Sequence, residues 1–369
     1  MKIAHVANWY GPKSGGLKTT IDALANSYVE RGHSILVVVP SDRNELVNSG
    51  LKSYCYLRGV RLPFSGGYRV ILRKKKVIQT LEAFKPVVLE ISDRTTLLGV
   101  SKWARRKKIH SNFFAHENVQ GVLKAFFPWV PGAVKLAKFW NTRTMKLVDS
   151  ITATTNFAAE EFRSIENFSE GKLQMIPLGV NPSEFSIMTL DSQPFVNRYV
   201  FACTRLSKEK DPAFLLEIGR EMKRRAADYQ MIIAGDGPLR SNFEKVISAE
   251  QLPISLLGYI NDRKDLNSLM SRALAFLAVG PIETFGLAAV ESLASGTPVI
   301  CRESSALREI IDGECGRALP REVQAWLSVI DDFANRNRSE VSHYCSRRAG
   351  NFTWDACSES LLTRYKELV

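Results

Sequence analysis

Short apolar runs alternate with helix-patterned stretches along this chain, and the alternation occurs twice. Runs at 3–7, 35–39, 87–91, 111–115, 150–154 and 175–177 read as strands, and the helical stretches between them include 17–31 and 135–147. A polar, proline-containing segment at 181–197 has no period and marks a boundary. Beyond it, strands at 199–204, 230–234 and 255–257 alternate with helices at 212–225, 239–249 and 265–271. Such alternation predicts a parallel sheet covered by helices on both faces. A chain of 369 residues also exceeds one ordinary core. The expectation is two doubly wound α/β domains, 1–185 and 186–352, with a last helix at 353–369 packing them together.

One strand–loop–helix carries the densest pattern. The apolar run 273–279 ends in Gly280-Pro281, a helix starts near Phe285 or Gly286 and closes at Gly296, and Thr297-Pro298 leads into another strand. Glu283 precedes the first turn and Glu291 lies inside the helix, eight positions on. At roughly 1.5 Å per helical residue they are separated by at most about 12 Å along the axis. That is about the length of a sugar diphosphate with its ribose. The amides of Phe285, Gly286 and Leu287 offer a phosphate the positive end of the helix dipole. A buried crossover with two solvated glutamates is the plainer alternative.

Composition narrows the class. No run approaches the roughly 18 apolar residues of a membrane span. Met1-Lys2 leads directly into the first apolar run, so no signal peptide is expected. Six cysteines show neither a CxxC pair nor zinc spacing and read as reduced thiols of a cytoplasmic protein. The charge is lopsided: residues 1–185 hold 27 Lys+Arg against 14 Asp+Glu, and the remainder 23 against 24. The excess clusters at Arg73-Lys74-Lys75-Lys76 and at Lys102 to Lys108. Clusters of this kind suit nucleic acid or an anionic membrane surface, a solvated helix face being the plainer alternative.

Other segments bear on chemistry. Asn8-Trp9-Tyr10-Gly11-Pro12-Lys13-Ser14-Gly15-Gly16-Leu17 follows the first strand and is not the dinucleotide-binding GxGxxG pattern, so a nicotinamide cofactor is not expected. Gly15 and Gly16 at a helix start permit close approach of backbone to a ligand, or form an ordinary turn. Cys203-Thr204-Arg205-Leu206-Ser207-Lys208-Glu209-Lys210-Asp211 places cations after the second domain's first strand. Gly235-Asp236-Gly237-Pro238-Leu239 reads as a tight structural turn. His116 lies at a strand's C-terminal end, where binding loops of such sheets sit, whereas His5, His33, His110 and His343 show no acidic or glycine-rich partners that suggest chemistry. No Asp-x-Asp metal signature occurs.

Together these segments resemble retaining GT-B glycosyltransferases, the large family that includes sucrose synthases and phosphatidylinositol mannosyltransferases. The resemblance implies two Rossmann-like domains facing across a cleft, the donor nucleotide sugar being held by the C-terminal one. It makes Glu283 the partner of the donor hexose hydroxyls and Glu291 that of the ribose. Arg205 and Lys210 match the two cations on the diphosphate, with Asp211 where the family has Gly. Thr284, Phe285, Gly286 and Leu287 complete the donor loop, and Gly15 and Gly16 face the donor phosphate. By the same resemblance, Asp262 grips the nucleobase and His116 contacts the donor sugar near its reacting carbon. No metal and no cofactor are implied, because fixed cations and helix amides stabilise the leaving group.

A narrower pattern, Ala7 to Leu17 with Ser65-Gly66-Gly67-Tyr68-Arg69, Leu89-Glu90-Ile91-Ser92-Asp93-Arg94, His116-Glu117 and Pro177-Leu178-Gly179-Val180, is similar to actinobacterial mannosyltransferases acting on phosphatidylinositol mannosides. That similarity implies GDP-mannose as donor, a glycolipid acceptor, and Tyr68, Asp93 and Arg94 at the acceptor site. It also implies a protein peripheral on the cytoplasmic face of a membrane. The aromatic, lysine-spaced stretch 122–140, with Phe127 and Trp129, reads as an interfacial loop or as core. Rival readings are a UDP-sugar donor or soluble acceptor, a nucleotide-sugar epimerase, and a nucleic-acid-binding protein. The last leaves Glu283, Glu291, Arg205 and Lys210 without a role, and no nucleic-acid motif is present.

Overall fold

The first apolar run becomes β1 (Lys2–Val6), with Ile3, Ala4 and Val6 fully buried, as in a parallel sheet covered on both faces. The computed structural model describes residues 1–11, 15–62, 67–126, 132–188 and 198–369. It divides into two units, Met1–Leu178 with Trp354–Val369, and Gly179–Thr353.

In the first unit β1 is followed by β2 (Ser34–Ser41), β3 (Glu45–Ser49), β4 (Lys52–Arg58), β5 (Val60–Arg61), β6 (Arg69–Val70), β7 (Val88–Ile91), β8 (His110–Ala115), β9 (Ser150–Ala153) and β10 (Leu173–Met175). The main sheet runs β10-β9-β8-β7-β1-β2-β4-β3, and β5 pairs with β6 alone. All main-sheet pairs are parallel except β3 with β4. That antiparallel edge lies outside the expected pattern, because β3 is exposed throughout and its two apolar residues, Leu46 and Val47, make too short a run. The helices are α1 (Gly16–Glu30), α2 (Lys74–Phe84), α3 (Ser101–Arg106), α4 (Val119–Phe126), α5 (Ala133–Leu147) and α6 (Asn156–Arg163).

The second unit holds β11 (Arg198–Cys203), β12 (Tyr229–Ala234), β13 (Ile254–Gly258), β14 (Phe276–Ala278), β15 (Val299–Arg302) and β16 (Gly316–Leu319), a parallel sheet in the order β13-β12-β11-β14-β15-β16. Its helices are α7 (Ala213–Arg224), α8 (Arg240–Glu250), α9 (Arg263–Arg272), α10 (Leu287–Ala294), α11 (Leu307–Ile310), α12 (Val323–Asn335) and α13 (Arg338–Ala349). Trp326 on α12 is fully buried and meets Phe214 of α7 edge-on at 5.2 Å. The last helix, α14 (Trp354–Leu368), belongs to the first unit. Arg31 at the end of α1 donates to Asp355 at 3.1 Å, and the Tyr365 hydroxyl reaches Glu90 at 2.8 Å.

Strand order reverses at β1 in the first unit and between β11 and β14 in the second. Loops leaving the carboxyl ends of such strands form the binding crevice of doubly wound sheets. The β1–α1, β11–α7 and β14–α10 loops are among those that sequence patterns single out. All six cysteines are free, and no described helix is long and apolar enough to cross a membrane.

Candidate active site

In the second unit the β14–α10 loop carries Glu283 ahead of a left-handed Gly286 at φ +85°. A Cβ there would stand 2.7 Å from a Leu307 methyl, so the conformation requires glycine and the tight space favours it. α10 then starts at Leu287 and stops before Gly296, also left-handed at φ +81°. Phe285 packs inward, 2 % exposed and edge-on to Phe352 at 5.8 Å. Its side chain is therefore core, and only backbone of Phe285, Gly286 and Leu287 is left for a ligand. Thr284 is half-buried beside them.

Glu283 Oε1 accepts from Lys210 Nζ at 2.6 Å. Lys210 ends a 3₁₀ turn (Lys208–Lys210) after β11, so strands adjacent in the sheet bring together groups 73 residues apart. Arg205 is half-buried in the same loop. Behind it the Gly235-Asp236-Gly237 turn is a scaffold. A Cβ on Gly235 would fall 1.9 Å from the Thr204 carbonyl oxygen, and one on Gly237 2.4 Å from that of Leu206. Leu206 N donates to Asp236 O at 3.1 Å, closing the contact. Asp211 sits at φ +47° and accepts from Arg302 at 3.1 Å and Arg321 at 2.9 Å. An aspartate tolerates this backbone, where the resembling family has glycine.

Glu291 is 6 % exposed on α10 and accepts from Arg263 Nη2 at 2.6 Å. Arg263 also donates to Glu184 at 3.0 Å and lies over the Phe185 ring at 4.5 Å. Burial raises the Glu291 pKa and the Arg263 charge opposes that rise. Arg263 was not among the expected site residues, and nothing in its spacing marks it. Asp262 caps α9, accepting from Lys264 N and Asp265 N, so its carboxylate is engaged by its own helix.

In the first unit, Asn8 is fully buried and ties the β1–α1 loop to Ile71 N and to Thr96 Oγ1. Trp9 holds a left-handed φ of 61° and meets Tyr68 edge-on at 5.9 Å. Gly15 is the N-cap of α1, at an ordinary φ of −74°, and Gly16 opens the helix. No described atom lies within 4 Å of a Cβ built on Gly15, so neither packing nor φ demands glycine there.

Asp93 and Arg94 are spoken for within the domain framework. Asp93 is 3 % exposed and accepts from Thr95 N, Thr95 Oγ1 and Leu97 N. The Arg94 guanidinium lies over the Phe113 and Phe162 rings, at 5.2 and 5.9 Å. It donates to Asn141 and to the Glu117 carbonyl, beside His116. Both residues shape the loops around His116 rather than offering free side chains.

His116 Nε2 meets Ser92 Oγ at 2.9 Å, and Ser92 Oγ meets His5 Nε2 at 2.8 Å. His5 Nδ1 meets Glu90 Oε2 at 2.7 Å. His5 therefore does have an acidic partner, contrary to its reading from sequence neighbours alone. The signal available was a carboxylate inside the all-buried β7, which parallel register places directly opposite His5. Burial, aided by the charges of His5 and Arg94, pushes the His116 pKa down to about 3.

Two family models match the chain, Glycosyltransferase Family 4 over residues 14–184 and Glycosyl transferases group 1 over 195–351. A GDP-mannose-dependent alpha-(1-6)-phosphatidylinositol dimannoside mannosyltransferase of Mycobacterium tuberculosis is 34 % identical over 98 % of this chain and 95 % of its own length. The chain belongs to the GT-B glycosyltransferases. This transferase is also 24 % identical to the alpha-monoglucosyldiacylglycerol synthase of Acholeplasma laidlawii, over 86 % of the chain and 84 % of that protein. The fold of a sucrose-phosphate synthase from Thermosynechococcus elongatus matches with a TM-score of 0.80 at 18 % identity, covering 100 % of this chain and 98 % of that one.

Glycosyl transfer breaks a sugar–phosphate bond and builds negative charge on the departing phosphate. The second unit of the transferase presents, in one loop cluster, the Glu283 carboxylate, the cations Arg205 and Lys210 and the first amides of a helix. Such fixed groups stabilise that charge without reorganising at the moment of reaction.

Proposed function

We propose that this transferase moves mannose from GDP-mannose, with retention, onto a glycolipid of the phosphatidylinositol mannoside type. The observation that carries the reading is the near full-length 34 % identity to an enzyme of that name. It is supported by the Lys210–Glu283 pair beside the start of α10. In this reading Glu283 takes hexose hydroxyls, Glu291 the ribose, and Arg205, Lys210 and the α10 amides the diphosphate. His116 contacts the donor sugar, and no metal takes part.

The acceptor places the enzyme at a membrane surface. Lys74, Lys75 and Lys76 on α2 and Lys102, Arg105, Arg106, Lys107 and Lys108 on and after α3 are all exposed. On α5, Phe139 is 61 % exposed, Val134 and Leu136 are exposed too, and Lys135 and Lys138 lie among them. Apolar and cationic groups side by side suit an anionic lipid interface. The aromatic positions Phe127 and Trp129 lie outside the described residues.

Nucleotide release with GDP- and UDP-sugars, with and without phosphatidylinositol mannosides in vesicles, tests the reading. GDP-mannose should turn over only with the glycolipid. Preference for a UDP-sugar, or equal turnover onto a soluble sugar, overturns it, and acceptor-independent conversion of the sugar indicates an epimerase.

A further inference from the structure

Arg263 opens α9, and its surroundings in the second unit fix where its charge points. Asp262 caps the helix through Lys264 N and Asp265 N, which sets the backbone. The guanidinium lies over the Phe185 ring at 4.5 Å, and that ring is held in the core, 1 % exposed. Nε donates to Glu184 Oε2 at 3.0 Å and Nη2 to Glu291 Oε1 at 2.6 Å. A planar fork held against a ring and bonded to two carboxylates presents its donors in one direction.

Glu291 needs such a partner. Its side chain is 7 % exposed on α10, and an ionised carboxylate so deeply placed is costly unless a cation and hydrogen bonds compensate it. Burial raises its pKa, the Arg263 charge and hydrogen bond oppose the rise, and the Glu184 charge adds to it. Cys203, at the end of β11, is within reach of the Glu291 charge. Burial and that charge push its thiol up to about 12, so it stays neutral. Among the described residues, β14, β15 and α13, which also pack against α10, put no further charge on Glu291. A carboxylate has about four lone-pair sites, so it can accept from a sugar diol while still bonded to Arg263. A carboxylic acid has turned one oxygen into a donor and fits a diol less well.

We propose that Arg263 is a positioning residue for the donor nucleotide: anchored by Phe185 and Glu184, it keeps the Glu291 carboxylate anionic and in one orientation, ready to accept from the ribose hydroxyls. Arg263 acts through Glu291 and itself touches no part of the nucleotide. The ribose contact rests on the role given to Glu291 above; the hold of Arg263 on Glu291 does not.

Glutamine at position 263 keeps a donor and removes the charge, whereas lysine keeps the charge. The ligand-free, full-length protein reads the hold directly. The Glu291 side-chain carboxyl, followed by ¹³C NMR and assigned by its loss in Glu291→Gln, should titrate at higher pH in Arg263→Gln than in the wild type. In Arg263→Lys it should stay close to the wild type. Calorimetry with GDP reads the consequence. Acid should weaken GDP about tenfold in each protein, the worth of one hydrogen bond to a charged group, and in Arg263→Gln that loss should come at higher pH. The terminal phosphate of GDP also titrates near pH 6. Profiles are therefore taken relative to Glu291→Gln, which keeps the phosphate's titration and lacks the carboxylate's.

GDP lacking the 2′ or the 3′ hydroxyl ties the effect to ribose. At pH 8 the wild type should penalise the loss of at least one hydroxyl about tenfold, and Glu291→Gln much less. A Glu291 titration in folded Arg263→Gln that matches the wild type overturns the proposal. Should that variant fail to fold, Arg263→Gln combined with Glu291→Gln, which leaves no buried carboxylate unpaired, still decides. Against Glu291→Gln alone, the second change should alter GDP affinity less than about twofold. A tenfold loss on that background means that Arg263 touches the nucleotide itself, and overturns the positioning role. If the wild type penalises neither deoxy nucleotide while the carboxyl titration is still displaced in Arg263→Gln, the ribose role of Glu291 fails and the hold stands.

Discussion

Lys210 and Glu283 meet at 2.6 Å while each keeps about a quarter of its side chain exposed. A pair that exposed contributes about 1 kcal/mol or less to stability, so its removal should register in chemistry before it registers in folding. Lys210→Ala and Arg205→Ala are expected to cut turnover by about 10²–10³, because developing phosphate charge loses its fixed counter-charge. Turnover should be indifferent to EDTA, and its abolition by chelation with recovery on Mn²⁺ would contradict a metal-free mechanism. The two glutamates should separate by ligand in calorimetry. Glu291→Ala is expected to weaken GDP as well as GDP-mannose, whereas Glu283→Ala should spare GDP and impair sugar discrimination. His116 should show itself in acid stability. Its folded pKa is lowered to about 3, below the roughly 6.5 of an unfolded histidine. The stability linked to it is therefore complete above pH 6.5 and is lost as pH falls from there toward 3. Thermal melts of His116→Asn should lose less between pH 6.5 and 4 than those of the wild type.

At the scale of elements, α10 is short and depends on its entry. Gly286→Ala places a Cβ at φ +85° and against Leu307. The left-handed backbone alone costs about 1–2 kcal/mol, and the displaced first turn carries the amides proposed to hold phosphate. Chemical denaturation should record that loss, and calorimetry a weaker GDP; an unaltered GDP affinity would remove the α10 amides from the site. Gly235 and Gly237 act one layer further back, letting their turn press against Thr204 and Leu206 so that Arg205 is presented from a rigid loop. Asp211 fills a left-handed corner of that loop, where Arg302 and Arg321 hold it.

For the whole molecule the proposed partner is the lipid surface. Exposed lysines and arginines on α2 and α3, and Phe139 with its lysine neighbours on α5, belong to one unit. Sedimentation with anionic vesicles should fall steeply between low salt and roughly 0.5 M, as the screening length contracts below about 5 Å. Exchanging Lys74, Lys75 and Lys76 for Gln should weaken vesicle binding while leaving GDP affinity intact. Equal sedimentation of that variant at low salt would remove α2 from the membrane face.

What the sequence determined by itself is everything carried by local pattern. Alternating apolar runs announced two parallel sheets, and Gly286 and Gly296 bracketed α10, because period and backbone conformation are written in neighbouring residues. Glu283 and Glu291 stood out by their eight-residue spacing, which runs from the loop before α10 into the helix itself. The tertiary structure decided what depends on register and packing. It turned Asp93 and Arg94 into framework by surrounding them with amides and aromatic rings, and gave the Asp262 carboxylate to its own helix. It set Arg263 against Glu291 across 28 positions. It also laid β7 beside β1, so that a histidine and a glutamate 85 residues apart became one buried pair. No local period encodes such a meeting: it exists only once strand order is chosen, and water is then excluded around both groups.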